Sequence, residues 1–273
     1  MSHGPTYYES KGQCIYCGIT DEILTDEHIV PLCLGGVHVL RKASCTKCAK
    51  ITSNFERIVA RDLWGDARIS FDSPSRKKKY RPKIIFCTDS NNPELKQPVS
   101  VEEYPAGLVF YKMNPPGFLQ GLGPDIDISG SWQFSVVDDD KRRTDFLKKY
   151  GKYATLKFRN VPYEFGQLLA KIGYGQILTV FHPSEFTHFA LPYILGEKKN
   201  VSFIVGSSDN EVTPVANIGY YLNLGTIVSA TLDRMILFAK VRLYANTYSP
   251  EYTVIVGEII GKERVADAAK KIG

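Results

Sequence analysis

Residues 24–36 have the sequence LTDEHIVPLCLGG, in which an acidic residue is joined to a histidine at the end of a short apolar strand and a Gly-Gly turn follows. A Cys-x-x-Cys pair lies on each side of this stretch, Cys14 with Cys17 and Cys45 with Cys48. Two thiolates separated by two residues can bind one metal ion, and two such pairs supply the four ligands of a closed tetrahedral zinc site. The sequence therefore predicts a small zinc-stapled module near the start of the chain.

The other two of the six cysteines, Cys33 and Cys87, stand alone in the sequence. We expect both to be buried, unreactive thiols, because free cysteine behaves mostly as a small apolar side chain. A redox Cys-x-x-Cys of the thioredoxin type would need one pair within a βαβ unit, whereas here two pairs share the first fifty residues. Metal binding is therefore favoured over disulfide or redox chemistry.

The bulk composition is that of a globular protein. The chain has 273 residues, of which 44% are hydrophobic and 23% charged, and its length suits two domains of about 100–200 residues each. Its net charge of +5 permits binding to a polyanion without requiring it. No apolar run approaches the roughly 20 residues that span a bilayer, and residues 1–4 are polar, unlike a signal peptide. We therefore expect a cytoplasmic protein with no membrane partner.

The acid-His-Ile-Val-Pro core, the Gly-Gly turn and the flanking cysteine pairs together resemble the HNH endonucleases, in the branch whose ββα-metal fold is held by a structural zinc. The resemblance covers about residues 13–57, a fifth of the chain. It implies hydrolysis of phosphodiester bonds in DNA with Mg²⁺ or Mn²⁺, in restriction, phage defence or mobile-element biology. RNA is an alternative substrate, and a homodimer is one arrangement that would bring two single-metal sites to two strands.

The resemblance also implies roles for individual side chains. Hydrolysis needs a base near neutral pH, and histidine, with an ordinary pKa near 6.5, suits that role, here carried by His28. The acidic residue before it, Glu27, would contribute to the catalytic metal site, because hard divalent ions prefer carboxylate oxygen. Asp26 would replace Glu27 if the strand register differed. The alternative for His28 is a hydrogen-bonded histidine in the core of a zinc ribbon.

The chain departs from the family pattern at the residue after the last cysteine. That position carries an asparagine or histidine metal ligand in the family and Ala49 here. Three interpretations stay open: a module that binds nucleic acid without cutting it, a ligand shifted along the helix to Ser53, Asn54 or Glu56, or an engineered Asn-to-Ala change that inactivates the enzyme and traps an uncleaved state. We favour the third, because every other element of the motif is intact. An interaction protein that uses the zinc ribbon only as a scaffold is a further alternative.

A helix is predicted over Lys50–Leu63, since apolar residues recur there at helical spacing. Its other face and the neighbouring strand carry cations that would contact phosphates, with a merely solvated surface as the alternative. A basic stretch over residues 72–83 would contact phosphates too, and the alternative there is a soluble linker. The predicted nucleic-acid contacts are Arg41, Lys42, Lys47, Lys50, Arg57, Arg76, Lys77, Lys78 and Lys79.

The predicted architecture is α+β, with an HNH module over residues 1–71, a basic linker or arm over 72–83 and a larger mixed or antiparallel α+β domain over 84–273, with a further boundary near residue 150. This larger part would recognise the target, sense a signal or dimerise. His182 and His188 are predicted to be structural. The predicted strands are 83–87, 99–101, 107–111, 154–158, 176–181, 201–205, 218–224, 235–244 and 252–260, and the predicted helices begin after residue 138 and at residue 163.

Overall fold

The structure is a computed structural model, and it describes residues 4–70, 82–89, 91–104, 107–153, 158–208 and 212–272. Helices and mainly antiparallel sheets alternate along these residues, so the predicted α+β class is confirmed. In the described part of the chain, no helix is both long and apolar enough to cross a membrane.

The N-terminal sheet has three strands, β1 (Thr6–Tyr8), β2 (Thr25–His28) and β3 (His38–Ser44). Strand β3 is central, parallel to β1 and antiparallel to β2. Helix α1 (Thr46–Ile58) follows β3 after a single residue. The order strand, turn, strand, helix is the ββα arrangement that the sequence predicts.

Helix α1 begins four residues before the predicted start at Lys50, because Cys45 already occupies the N-cap position. A π-helical turn, Val59–Leu63, continues it, marked by the hydrogen bond from Trp64 N to Val59 O at 3.2 Å. Helix α2 (Gly65–Ser70) completes this segment. The predicted basic linker over 72–83 falls largely on residues 71–81, which lie outside the described residues.

Two antiparallel hairpins follow, and a helix closes the second one. Helix α3 begins at Asp140, and the Asp139 carboxylate caps it by accepting a hydrogen bond from Arg142 N at 3.0 Å. The acidic run thus caps the N-terminus of the helix that was predicted to begin after residue 138. The elements are β4 (Ile84–Thr88) with β5 (Lys96–Ser100), β6 (Gly107–Lys112) with β7 (Gln133–Asp138), and α3 (Asp140–Tyr150).

The rest of the chain forms a sheet of strand order β10-β11-β12-β8, with β9 also pairing with β12, and a long helix packs against it. The elements are α4 (Pro162–Ile177), β8 (Thr187–His188), α5 (Leu191–Ile194), β9 (Val205–Ser207), β10 (Tyr220–Val228), β11 (Arg234–Leu243), β12 (Tyr252–Ile260) and α6 (Lys262–Ile272).

Two predicted strands are wrong here. Residues 176–181 are the end of α4 and the turn after it, and residues 201–205 are a 3₁₀ turn, Val201–Phe203, that ends where β9 begins. Both are short, largely buried apolar runs, and such runs carry no periodicity that separates helix from strand. The predicted strand 154–158 falls mostly on residues 154–157, outside the described residues.

Helix α4 joins the N-terminal module to the larger sheet. The Tyr174 hydroxyl donates to Ile15 O at 2.7 Å, and a Cβ placed on Gly175 would lie 3.3 Å from the Ile29 side chain. On the module's other side, the Trp64 indole donates to Val109 O at 2.7 Å. One continuous hydrophobic core therefore runs from the cysteine cluster to β12.

Candidate active site

The four paired cysteines form one cluster. The sulfur atoms of Cys14, Cys17, Cys45 and Cys48 all lie within 4.8 Å of one another, and the Cys17 and Cys45 sulfurs are 3.7 Å apart. Tetrahedral zinc with Zn–S bonds of about 2.3 Å would hold its sulfurs about 3.8 Å apart. These four cysteines could therefore hold a metal ion such as zinc.

Local backbone geometry explains why the two pairs converge. The first pair folds into a tight turn in which Gly18 N donates to Cys14 O at 2.8 Å with Gly18 at a φ of 78°, a conformation that favours glycine. The second pair opens α1, with Cys45 as its N-cap. The amide of Cys45 also donates to the Cys14 sulfur at 3.4 Å. The amides at this helix N-terminus favour negatively charged thiolates.

The Gly-Gly turn fixes the course of the chain after His28. A 3₁₀ turn over Leu32–Leu34 ends at Gly35, whose φ of 90° is left-handed. A Cβ placed on Gly36 would lie 1.7 Å from Val30 O, so no side chain fits there. The two glycines thus return the chain into β3, where Val39 pairs with His28.

His28 and Glu27 open onto one cavity of about 290 Å³ between β2 and α1. From the helix, Thr52 and Glu56 face this cavity, four residues apart on one side of α1. Thr52 is 2% exposed, and Glu27 is 8% exposed. The full lining consists of Asp26, Glu27, His28, Pro31, Leu32, Cys33, Thr52, Glu56 and Lys171.

Lys171, from α4, closes the floor of this cavity. Its Nζ lies 2.8 Å from Glu27 Oε1 and 3.0 Å from Glu56 Oε1, and it donates to the main-chain oxygens of His28 and, at 3.2 Å, Ile29. An ammonium has three N–H donors. Four oxygens thus surround these three donors, and the side chain of Lys171 is 1% exposed.

Burial and the ion pairs oppose each other in this cluster. Burial would lower the pKa of Lys171, but the two carboxylates outweigh it, so its pKa is raised and the lysine is held as a cation. Burial raises the pKa of Glu56, and Lys171 only partly offsets that rise. Two carboxylates and one ammonium leave one net negative charge beside His28 when all three are ionised.

Lys171 was not predicted as a site residue, although its position in the sequence is unusual. It is the only lysine of α4, in a helix where Phe165–Gly175 are all buried. Lysine is almost never fully buried without a partner of opposite charge. A lysine inside an apolar helix therefore indicates a buried ion pair, but not which acids form it.

Ala49 lies one turn before Thr52 on the same side of α1. It is partly exposed, its amide donates to Cys45 O at 2.9 Å, and its carbonyl accepts from the Thr52 hydroxyl at 3.3 Å. It is not part of the cavity lining formed by the described residues. Within that lining, the polar side chains that α1 supplies are those of Thr52 and Glu56.

The other predicted alternatives for a metal ligand are placed differently. Asp26 borders the cavity at a bulge of β2, where its carboxylate accepts from Lys42 N at 2.9 Å. The Asn54 side chain accepts from Arg57 at 2.8 Å, and the Ser53 hydroxyl donates to Lys50 O at 3.2 Å. Neither Ser53 nor Asn54 belongs to the described lining of the cavity around His28.

The other histidines that the structure describes are His38, His182 and His188, each with side-chain or main-chain partners. The Tyr8 hydroxyl lies 2.9 Å from His38 Nδ1, and the rings of Tyr8 and Tyr220 pack on that imidazole. His182 Nε2 lies 3.0 Å from Lys11 O. His188 Nε2 lies 2.8 Å from Pro183 O. Burial lowers the pKa of both His38 and His188.

The predicted nucleic-acid contacts are scattered over the module. Arg41 lies over the Tyr7 ring, 4.7 Å from its centroid, on the β1 side of the sheet. Lys42 and Lys47 are exposed, and Lys50 borders a cavity between α1 and α4. Of the predicted contacts that the structure describes, Arg57 borders a cavity that adjoins the one at His28. Arg76, Lys77, Lys78 and Lys79 lie outside the described residues.

No protein-family model matches this chain, and no curated protein and no solved structure matches it significantly.

Proposed function

We propose that this protein is an HNH-type endonuclease that hydrolyses phosphodiester bonds in DNA, with zinc on its four cysteines as a structural element. One observation carries the proposal: the motif histidine, His28, opens onto a cavity walled by α1, the helix whose N-terminus carries Cys45 and Cys48 of the four-cysteine cluster. The ββα order of β2, β3 and α1 supports it as well.

His28 is the proposed general base. A water molecule in the cavity would lose a proton to its imidazole as the water oxygen bonds to phosphorus and the bond from phosphorus to the leaving sugar oxygen breaks. The leaving oxygen then takes up a proton from solvent. Lys171 and the Gly-Gly turn hold the main chain from His28 onward, so the imidazole presents a fixed geometry to the phosphate.

Divalent metal ions such as Mg²⁺ or Mn²⁺ fit the donor chemistry of the cavity. Glu27 and Glu56 offer hard carboxylate oxygen, and Lys171 engages Oε1 of each. The cluster's net charge of −1 attracts a cation. A bound metal ion would stabilise charge on the phosphate and on the leaving oxygen. Ala49 offers no side-chain donor, so Glu56 is the helix residue that would replace the family ligand.

Lys171 is a positioning residue in this proposal. All of its donors are used by protein acceptors and its side chain is 1% exposed, so it does not reach substrate. It pairs with both buried carboxylates and ties α4 to the main chain of His28. The site is therefore completed by a residue more than one hundred positions beyond the motif, and we expect the first seventy residues alone to be inactive.

A zinc-dependent nucleic-acid-binding module without catalysis is the second candidate. Ala49 favours it, because it removes the donor that the family carries on this helix. The commitment of Glu27 and Glu56 to Lys171 favours it too, since both carboxylates already have a counter-ion without any metal.

Cleavage of supercoiled plasmid with Mg²⁺ or Mn²⁺ separates the two candidates, with the native chain and His28→Ala compared at equal zinc content. The nuclease proposal expects relaxed or linear product from the native chain and none from His28→Ala, while a gel-shift assay shows equal binding by both. Binding by both proteins with no cleavage of any DNA or RNA tested would replace the nuclease by the binding module.

A further inference from the structure

A second groove opens beside the cavity that holds His28. It has a volume of about 470 Å³ and runs along α1, the π-helical turn and α2. Cys33 and Glu56 line both spaces, so the groove and the cavity meet at these two side chains.

Three arginines border this groove: Arg57 and Arg61, four residues apart, and Arg68 at the last turn of α2. The single acid among its lining residues is Glu56, which Lys171 already pairs. The groove is therefore strongly positive, whereas the adjoining cavity carries a net negative charge.

The arginine side chains are available to a ligand. Arg57 and Arg61 are exposed. The Nε of Arg68 is buried, and among the described residues it has no hydrogen-bond acceptor. Burial raises the pKa of the Cys33 thiol and the Arg68 guanidinium opposes that rise, which places the Arg68 charge at the junction of groove and cavity.

Guanidinium groups suit phosphate in particular, because their planar fork donates two parallel hydrogen bonds to its oxygens. Three such groups in one groove that adjoins the proposed hydrolytic site match a ligand with phosphates repeated along a chain. The apolar members of the wall, Ala60 and Ile69, leave room for sugar between the charges.

We propose that the groove formed by Arg57, Arg61 and Arg68 binds the phosphodiester backbone of a nucleic-acid strand next to the phosphate held at His28. The position of the cut phosphate rests on the proposed nuclease function, whereas binding in the groove does not. Among the cations predicted from the sequence as nucleic-acid contacts, Arg57 would therefore contact the strand, whereas Lys47 and Lys50 would not.

A cavity of similar size, about 460 Å³, provides the matched control. It lies against Lys50 and Lys199 on another side of α1 and shares no lining residue with the cavity at His28. The variant Lys47→Gln/Lys50→Gln/Lys199→Gln removes three positive charges from this side, equal in number to Arg57→Gln/Arg61→Gln/Arg68→Gln.

The test is fluorescence anisotropy of a fluorescein-labelled duplex DNA across a salt series, without added divalent metal. Each lost phosphate contact lowers the salt slope by about 0.9, so the arginine variant should lose up to about 2.7 in slope and on the order of tenfold or more in affinity. The lysine variant should bind like the native chain. Single Arg→Gln changes should each lower the slope by about one. These single variants replace the triple variant in the assay if the triple variant is unstable.

Equal losses in the two triple variants would overturn the proposal, because binding would then follow total charge alone. Native binding by the arginine variant would overturn it as well, whether or not the protein cuts plasmid. Arginine-dependent capture of polyglutamate in preference to DNA would assign the groove to an acidic peptide instead. Arginine-dependent DNA binding in a protein that cuts nothing would keep the groove and reject the nuclease.

Discussion

Replacement of Lys171 by methionine removes the cation at the centre of the candidate site with little change in side-chain length. Glu27 and Glu56 would then lie in a buried site without their counter-ion, with side chains only 10% and 19% exposed. Loss of one partner from a buried ion pair costs about 3–5 kcal/mol, because the remaining charge stays out of water. The main-chain oxygens of His28 and Ile29 lose a donor in addition.

We therefore expect Lys171→Met to lower the free energy of unfolding by at least about 3–5 kcal/mol, or the Tm by roughly 6–20 °C at 2–4 °C per kcal/mol. Urea unfolding followed by circular dichroism measures this. Lys149→Met is the control, because Lys149 pairs with Glu103 at 2.5 Å on the surface, where such pairs contribute little.

A second comparison isolates the charge effect. In the background Glu27→Gln/Glu56→Gln, no buried carboxylate is left uncompensated, so Lys171→Met should cost much less than it does in the native chain. A loss below about 1 kcal/mol in the native chain, or an equal loss in both backgrounds, would refute the buried-charge argument.

Three further predictions concern the zinc cluster, the Gly-Gly turn and pH. Cys48→Ser should abolish zinc retention, measured by atomic absorption after gel filtration, because Cys48 belongs to the cluster. The control Cys33→Ser lies outside the cluster and should keep one zinc per chain. Equal zinc content in the two variants would disprove the site. Gly36→Ala should cost at least the roughly 1–3 kcal/mol of an overpacked core, since its Cβ would meet Val30 O. Gly65→Ala, which meets nothing within 4 Å, should be neutral in the same thermal melts. Because burial lowers the pKa of His38, its contribution to stability is present above about pH 6.5 and falls as pH drops towards its folded pKa. The Tm of His38→Phe should therefore fall less than that of the native chain when the pH is lowered from 8 to 5.5. An equal fall in the two proteins would contradict a lowered pKa of His38.

The N-terminal module could be predicted in some detail because its determinants are local. The cysteine spacing and the Gly-Gly turn act within a few residues of the elements that they shape. Backbone hydrogen bonds, the N-cap at Cys45 and the left-handed conformation of Gly35 account for both. The strand bearing His28 and the helix after Cys48 follow from the same short stretch. Local determinants of this kind can be recognised from a single sequence.

The part that could not be predicted depends on contacts between distant residues. Lys171 meets the main chain of His28 across 143 positions, and no pattern near either residue specifies that contact. The apolar run at 176–181 was wrongly predicted as a strand. Because α4 is buried on nearly all sides, its sequence shows no amphipathic helical periodicity that would have indicated a helix. His38, at the start of β3, lies between two tyrosines, one of them from the distant strand β10, and no local pattern specifies that contact either.

The central claim is that a phosphodiester is hydrolysed at His28 in the cavity shared with α1. The most direct test is the single-turnover rate of supercoiled-plasmid cleavage with Mn²⁺ for the native chain, Ala49→Asn and Ala49→Asn/His28→Ala. The account predicts that the asparagine, which restores a donor one turn before Thr52, raises the rate above that of the native chain and that the added His28→Ala change abolishes cleavage. Cleavage by the double variant at the rate of Ala49→Asn would contradict the account, because hydrolysis would then not depend on His28.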